Sequence, residues 1–258
     1  MRYPATRRVR RIAQGAAATA LVAAGVTGPS PVGASAAAAA DCATVSVISA
    51  RGTWEPQDGS WLLKPMGDQI LQRFPQGTYT ELAYPAQTPF DDSAPVGVGN
   101  LISTLNAEAA RCPDQRYVLL GYSQGAGVVG DALAAPSARI WGRDKGTVSA
   151  AASSRIAAIV LFGDIRFKAG EPYNVGTFEP GKESGNPPPR PAGALSAYAS
   201  RIQDYCVKND FVCQGTGDFI AHLEYFVNGM PSQGVAFAVS KLQGGAPRQS
   251  GSASPAMH

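Results

Sequence analysis

Apolar residues along the chain fall into two kinds of stretch: short unbroken runs, and segments in which they recur every three to four positions. The first kind predicts buried strands and the second amphipathic helices. Thr44 to Ala50 alternates, is rich in β-branched residues and reads as a strand ending at Arg51-Gly52-Thr53. Thr78 to Tyr84, Tyr117 to Leu120 and Ile156 to Phe162 read as further strands. Helical spacing runs through Trp61 to Phe74 (Leu62, Met66, Ile70, Leu71) and Val98 to Ala110 (Leu101, Ile102, Leu105), with Cys112-Pro113 closing the second helix. A third helix runs from Gln124 to about Ala135 and stops at Pro136, and Phe219 to Phe226 and Gln233 to Leu242 supply two more. Strands alternating with helices predict an α/β fold whose mainly parallel sheet is covered on both faces.

The ends of the chain do not share this pattern. Residues 1–40 combine an arginine-rich start, an apolar stretch from Ile12 to Val26 and small residues ending in Ala38, Ala39 and Ala40, the layout of a secretory signal peptide. Cleavage is expected before Asp41 or after Ala34-Ser35-Ala36, and Arg7-Arg8 hints at a twin-arginine export route. The apolar stretch is shorter than the roughly 18 residues a membrane span needs, and no later run is long enough, so the mature chain is expected to carry no integral membrane segment. Residues 41–243 read as one domain and 244–258, rich in Gly, Ser and Pro, as a flexible tail. Gly170 to Ala194, with Pro187, Pro188, Pro189 and Pro191, reads as a long surface loop, either a tolerated insertion or a rim over a site.

Charge and cysteine content narrow the picture. The formal net charge is +3, but five arginines and no acid lie before residue 41, leaving 17 basic against 19 acidic residues after it. The basicity belongs to the leader, which argues against a nucleic-acid partner. With 16% charged residues the chain reads as compact rather than disordered. Cys42, Cys112, Cys206 and Cys213, an even number in an exported chain, point to two disulfides. Of the three connectivities, Cys42 to Cys112 with Cys206 to Cys213 is the simplest. No two cysteines have the C-x-x-C spacing and the chain has two histidines, so a zinc site is not expected.

The sharpest chemical signal is Gly121-Tyr122-Ser123-Gln124-Gly125, a G-x-S-x-G sequence between a strand and a helix. That context places Ser123 on a tight turn with its hydroxyl exposed above the sheet, the position of a nucleophile. A serine needs a base, and histidine titrates in the right range. His258 ends the flexible tail, so elimination selects His222. The third member should be a carboxylate between the two in the chain, and Asp164, Glu171, Glu179, Glu183, Asp204, Asp210 and Asp218 all qualify by order. Asp210 stands out because Cys206 and Cys213 bracket it; Asp204 and Asp218 stand in reserve.

Taken together, Gly121 to Gly125, the segment Tyr205-Cys206 to Asp210-Phe211-Val212-Cys213, the later His222 and Arg51-Gly52-Thr53-Trp54-Glu55 resemble the cutinase family of secreted serine esterases. The resemblance spans roughly Cys42 to Leu242. It implies an α/β-hydrolase fold of cutinase type, with a central, mainly parallel five-stranded sheet in a three-layer α/β/α arrangement. It implies Ser123, His222 and Asp210 as the catalytic triad, the disulfide pairing named above, and an oxyanion hole with one backbone donor from Gln124, directly after the serine, and a second from Thr53, with Arg51 and Glu55 bracing that turn. It implies no metal and no organic cofactor. The expected substrates are short- to medium-chain esters, lipids or polyesters, processed by a monomer that is secreted or associated with the cell wall. An envelope-lipid lipase, a phospholipase or an acyltransferase would use the same acyl-enzyme, and a non-enzymatic binding module is the reading from another class. The Gly170 to Ala194 loop, Trp54 and Trp61 depart from the compact form of the family and bear on substrate size.

Overall fold

The computed structural model describes residues 42–244. The expected signal peptide at 1–40, His258 and the tail beyond Gly244 lie outside the described residues. Six strands form one sheet in the order β2-β1-β3-β4-β6-β5, where β1 is Val45–Ala50, β2 Thr78–Glu81, β3 Arg116–Tyr122, β4 Ile156–Phe162, β5 Asn174–Gly176 and β6 Ile202–Cys206. Every neighbouring pair is parallel. The helices are α1 (Leu63–Arg73), α2 (Phe90–Arg111), α3 (Gln124–Leu133), α4 (Ala150–Arg155), α5 (Phe211–Gln214), α6 (Phe219–His222) and α7 (Met230–Gly244).

The unbroken apolar runs are strands buried on both faces, as a parallel sheet requires. In β3, Val118, Leu120 and Tyr122 join α1 and α7 residues such as Met66, Ile70 and Ala238 on one face. Tyr117 and Leu119 pack on the other with Leu101, Leu105 and Val128 of α2 and α3. Disulfides Cys42–Cys112 and Cys206–Cys213 tie the chain ahead of β1 to the end of α2, and the end of β6 to α5.

Several boundaries differ from the sequence pattern for physical reasons. The sheet has six strands where five were expected, because Asn174–Gly176 within the supposed loop pairs with β6, Asn174 opposite Asp204. The strand expected over Thr78 to Tyr84 stops at Glu81, since the carbonyls of Leu82, Tyr84 and Pro85 turn to the Arg51 guanidinium at 3.3, 2.6 and 3.2 Å. α2 starts at Phe90 rather than Val98; Asp91 and Asp92 favour its N-terminus, and one internal proline, Pro95, removes a single backbone bond. The stretch Phe219 to Phe226 divides into α6 and a 3₁₀ turn over Glu224–Phe226. Gly244 belongs to α7, not to a tail.

The 170–194 segment is held by buried charge in addition to the packing of Tyr173 and Phe178. Arg190, 4% exposed, reaches under it to pair with Asp164 and Asp131, and donates to the carbonyls of Ala126 and Gly127 in α3 at 3.2 and 3.1 Å. Arg166 binds Asp131 at 2.6 Å. Two guanidinium groups and two carboxylates balance, so the neighbouring Asp204 adds an unmatched charge if ionised. Burial, with the Asp164 charge behind it, raises the Asp204 pKa well above the usual carboxylate range, against the pull of Arg190.

Two outcomes follow. Arg190→Met leaves buried carboxylates short of a partner, a change worth about 3–5 kcal/mol; calorimetry should show Tm lowered by about 6–20 °C, and an unchanged Tm would exclude Arg190 as the anchor. For Asp204, the folded chain holds a proton that the unfolded chain releases above about pH 3.9, so this residue removes stability as pH rises through that value towards the raised folded one. Asp204→Asn should therefore gain Tm over the parent protein progressively from pH 4 to pH 7, and a pH-independent difference would refute the buried-acid account.

Candidate active site

At the C-terminal edge of the sheet, β3 turns into α3 through Ser123, whose φ of 55° and ψ of −121° lie where L-residues rarely sit. The turn is this tight because α3 passes against the end of β1: a Cβ at Gly125 would stand 1.8 Å from the Ala50 carbonyl oxygen. Ser123 is pinned by its N–H to the Phe162 carbonyl at 2.9 Å and remains partly exposed.

His222 ends α6, is 2% exposed, and sets its Nδ1 2.9 and 3.0 Å from the two carboxylate oxygens of Asp210. With the carboxylate on Nδ1, the imidazole proton belongs there, and Nε2, buried without a hydrogen-bond partner, keeps a free lone pair. The ring stacks on Tyr122 at 5.1 Å between centroids, and the Tyr122 hydroxyl donates to the His222 carbonyl at 2.9 Å. On its other side a Cβ at Gly163 would lie 2.5 Å from His222 Cε1, so only glycine leaves space for the imidazole.

Asp210 follows β6, caps α5 through the Val212 N–H at 2.9 Å and is fully buried. The other carboxylates that qualified by order are engaged elsewhere: Asp164 with Arg190, Glu171 with the Gly193 N–H, Glu183 with Lys168, Glu179 with Lys182 and Lys208. Asp218 caps α6 through Ala221, and Asp204 lies in the buried charge cluster.

The Arg51–Glu55 turn is rigid. The Arg51 Nε donates to the Glu55 carbonyl at 2.8 Å, and Glu55 accepts from the Gly52 N–H, the Ser60 hydroxyl and the Trp61 N–H. Trp54, at φ 64°, donates to the Ala86 carbonyl at 2.7 Å. Among the described residues the Thr53 N–H has no acceptor, and the Gln124 N–H opens α3, where intrahelical acceptors are lacking. The two residues meet side by side, Thr53 Oγ1 donating to Gln124 Oε1 at 3.2 Å.

Ser123 and His222 line one cavity of about 550 Å³ with Thr53, Trp54, Trp61, Phe90, Ile165, Val212, Phe219, Leu223 and Phe226. Gly185 and Asn186 of the 170–194 segment close part of its edge. A partly exposed serine that lines an apolar cavity together with an imidazole whose Nε2 is free is equipped for acyl transfer. Among the described residues no group of three or more His, Cys, Asp or Glu side chains is placed to hold a metal ion.

Sequence reasoning missed Tyr225, which donates to Asp210 Oδ2 at 2.8 Å, and the stacking role of Tyr122. Tyr122 stood inside the recognised motif; nothing marks Tyr225 apart from its place three residues after the histidine.

A profile of the cutinase family matches residues 41–242. Carboxylesterase Culp1 of Mycobacterium tuberculosis is 31% identical over 216 residues, which cover 82% of this chain and 88% of its own. Cutinase 11 of Verticillium dahliae is 31% identical over 222 residues, 79% of this chain and 70% of its own. The solved catalytic core domain of acetyl xylan esterase from Trichoderma reesei superposes with a TM-score of 0.67 at 29% identity, over 78% of this chain and 99% of that domain. The parallel sheet, the serine turn at its edge and these matches lead to one assignment: the chain belongs to the cutinase family of carboxylic-ester hydrolases.

Proposed function

We propose that the chain is an exported ester hydrolase in which Ser123 is the nucleophile, His222 the general base and Asp210 the acid that orients it. One observation carries this reading: the buried His222 Nε2 has no partner and borders the cavity that Ser123 lines, while Asp210 holds Nδ1. Ser123 Oγ attacks the ester carbonyl carbon as Nε2 takes its proton. The carbonyl oxygen becomes an anion that accepts from the N–H groups of Thr53 and Gln124. Collapse breaks the bond to the alcohol, which leaves with the proton from Nε2. Water then repeats the sequence: His222 takes a water proton, hydroxide adds to the acyl carbon, and the carboxylic acid leaves as Ser123 regains its hydrogen. Asp210 stays ionised throughout and stabilises the imidazolium.

The lining supports apolar esters as substrates. Apart from Val96, the large apolar side chains exposed among the described residues border this mouth or belong to the 211–227 segment, including Trp54 at 73%, Trp61 at 65% and Phe219 at 56% exposure. Such a patch favours acyl chains, lipids or polyester surfaces over hydrated ones. The two disulfides support an oxidising compartment outside the cytoplasm.

The test is the acyl-chain profile on p-nitrophenyl esters from acetyl to palmitoyl, with Ser123→Ala beside it. The parent protein should turn over butyryl to octanoyl esters faster than acetyl, and Ser123→Ala should lose about 10⁴-fold or more in kcat. Equal rates in parent and variant would remove Ser123 from the mechanism; a profile highest at acetyl would overturn the apolar-acyl reading.

A further inference from the structure

Asp210 has no exposed surface, and a buried carboxylate needs donors in place of water. Besides His222 it receives the Val212 N–H on Oδ1 at 2.9 Å and the Tyr225 hydroxyl on Oδ2 at 2.8 Å. Tyr225 is itself fixed: its hydroxyl oxygen accepts the Val207 N–H at 3.1 Å, so its single proton is free to point at Asp210. The nearby Cys213 sulfur, at 3.7 Å, belongs to a disulfide and has no proton to offer. Burial and then the Asp210 charge push the Tyr225 pKa up, so the phenol keeps its proton. Its ring stands edge-on to those of His222 and Phe162 at 6.2 and 5.7 Å between centroids, which holds the phenol in place. Tyr225 does not line the cavity.

We infer that Tyr225 is a positioning residue for the His222–Asp210 pair: it holds Oδ2 in place and takes up part of the carboxylate charge, which limits how strongly Asp210 binds the His222 proton. The inference rests on the Ser123, His222 and Asp210 reading above. The groups facing His222 are Asp210 ahead of α5, Tyr122 of β3 and Tyr225 in the 3₁₀ turn; Asp218 caps the helix that His222 ends, and the chain just after β4 offers only Gly163. Glu55 acts on Tyr122, and Asp204 on Tyr225, through their charge.

The test is Tyr225→Phe in the full chain. Without the phenol, Asp210 should draw on the imidazolium more strongly. The acid limb of kcat/KM should move up by about half a pH unit, and kcat should fall about tenfold with KM unchanged. Nitrogen NMR of His222 should show the same upward titration shift independently of turnover. Tyr205→Phe, which deletes a hydroxyl bonded to Gln203 rather than to the pair, should move neither. If Tyr225→Phe does not fold, difluorotyrosine at position 225, a stronger donor, should move the limb and the titration down. An unmoved limb and titration, or equal shifts in Tyr205→Phe, would overturn the inference. Turnover unaffected by Ser123→Ala would instead sink the triad reading, leaving the NMR titration to judge Tyr225.

Discussion

The first turn of α3 has to pass the end of β1 at backbone contact distance, and the geometry of the site follows from that approach. Gly125 permits it, because any side chain there would collide with the Ala50 carbonyl oxygen, 1.8 Å from a Cβ. Once α3 lies so close, the single residue between β3 and α3 must reverse the chain, which puts Ser123 at φ 55°. The same approach brings Gln124 against Thr53, whose Oγ1 donates to Gln124 Oε1 at 3.2 Å. The backbone-donor role proposed for these two residues requires that they be rigid before substrate arrives. Here rigidity comes from the buried Arg51 and Glu55, not from the donors' own residues.

Strain is concentrated where the sheet can sustain it. The non-glycine residues with positive φ among those described are Trp54, Ala86, Ser123 and Asn209, and each adjoins a part of the site. Each such residue costs on the order of 1–3 kcal/mol. Trp54 and Ala86 are bonded to one another, Ser123 to the end of β4, and the Asn209 N–H to the Gln214 side chain at 2.9 Å. A sheet buried on both faces, with Leu119, Val160 and Leu161 fully enclosed, absorbs that cost because its strands cannot shift to relieve it.

What was legible in the sequence was what depends on local pattern. β1, β3 and β4 were readable because burial on both faces makes unbroken apolar runs, and the serine turn because its glycines stand at fixed spacing around the serine, Gly121 against Ala126 nearby and Gly125 against the distant Ala50 carbonyl. Asp210 was marked by the cysteines around it. β6 and β5 were not readable: Gln203, Asp204 and Asn174 interrupt any apolar run, Asp204 because it lies at the buried charge cluster. The end of β2 was misjudged because Arg51, about thirty positions earlier, takes its carbonyls. Tyr225 has no local signature because its importance lies in a contact with Asp210 that only the fold creates.

Arg190 shows why a proline-rich polar segment need not be loose. The 170–194 stretch has too few large apolar residues to be fixed by burial alone, and directional bonds take over that task. A guanidinium suits it: Arg190 meets Asp164 and the Ala126 and Gly127 carbonyls at once, a fork that lysine cannot reproduce. Asp164 sits between Gly163, which touches the His222 ring, and Ile165, which forms a cavity wall, while Gly185 and Asn186 of the anchored segment form part of the cavity edge. One buried charge cluster therefore sets the position of the imidazole's neighbour, of one wall and of one rim together. A change in the segment's anchoring would alter the shape of the cavity without touching Ser123, which places control of substrate fit partly outside the residues that perform the chemistry.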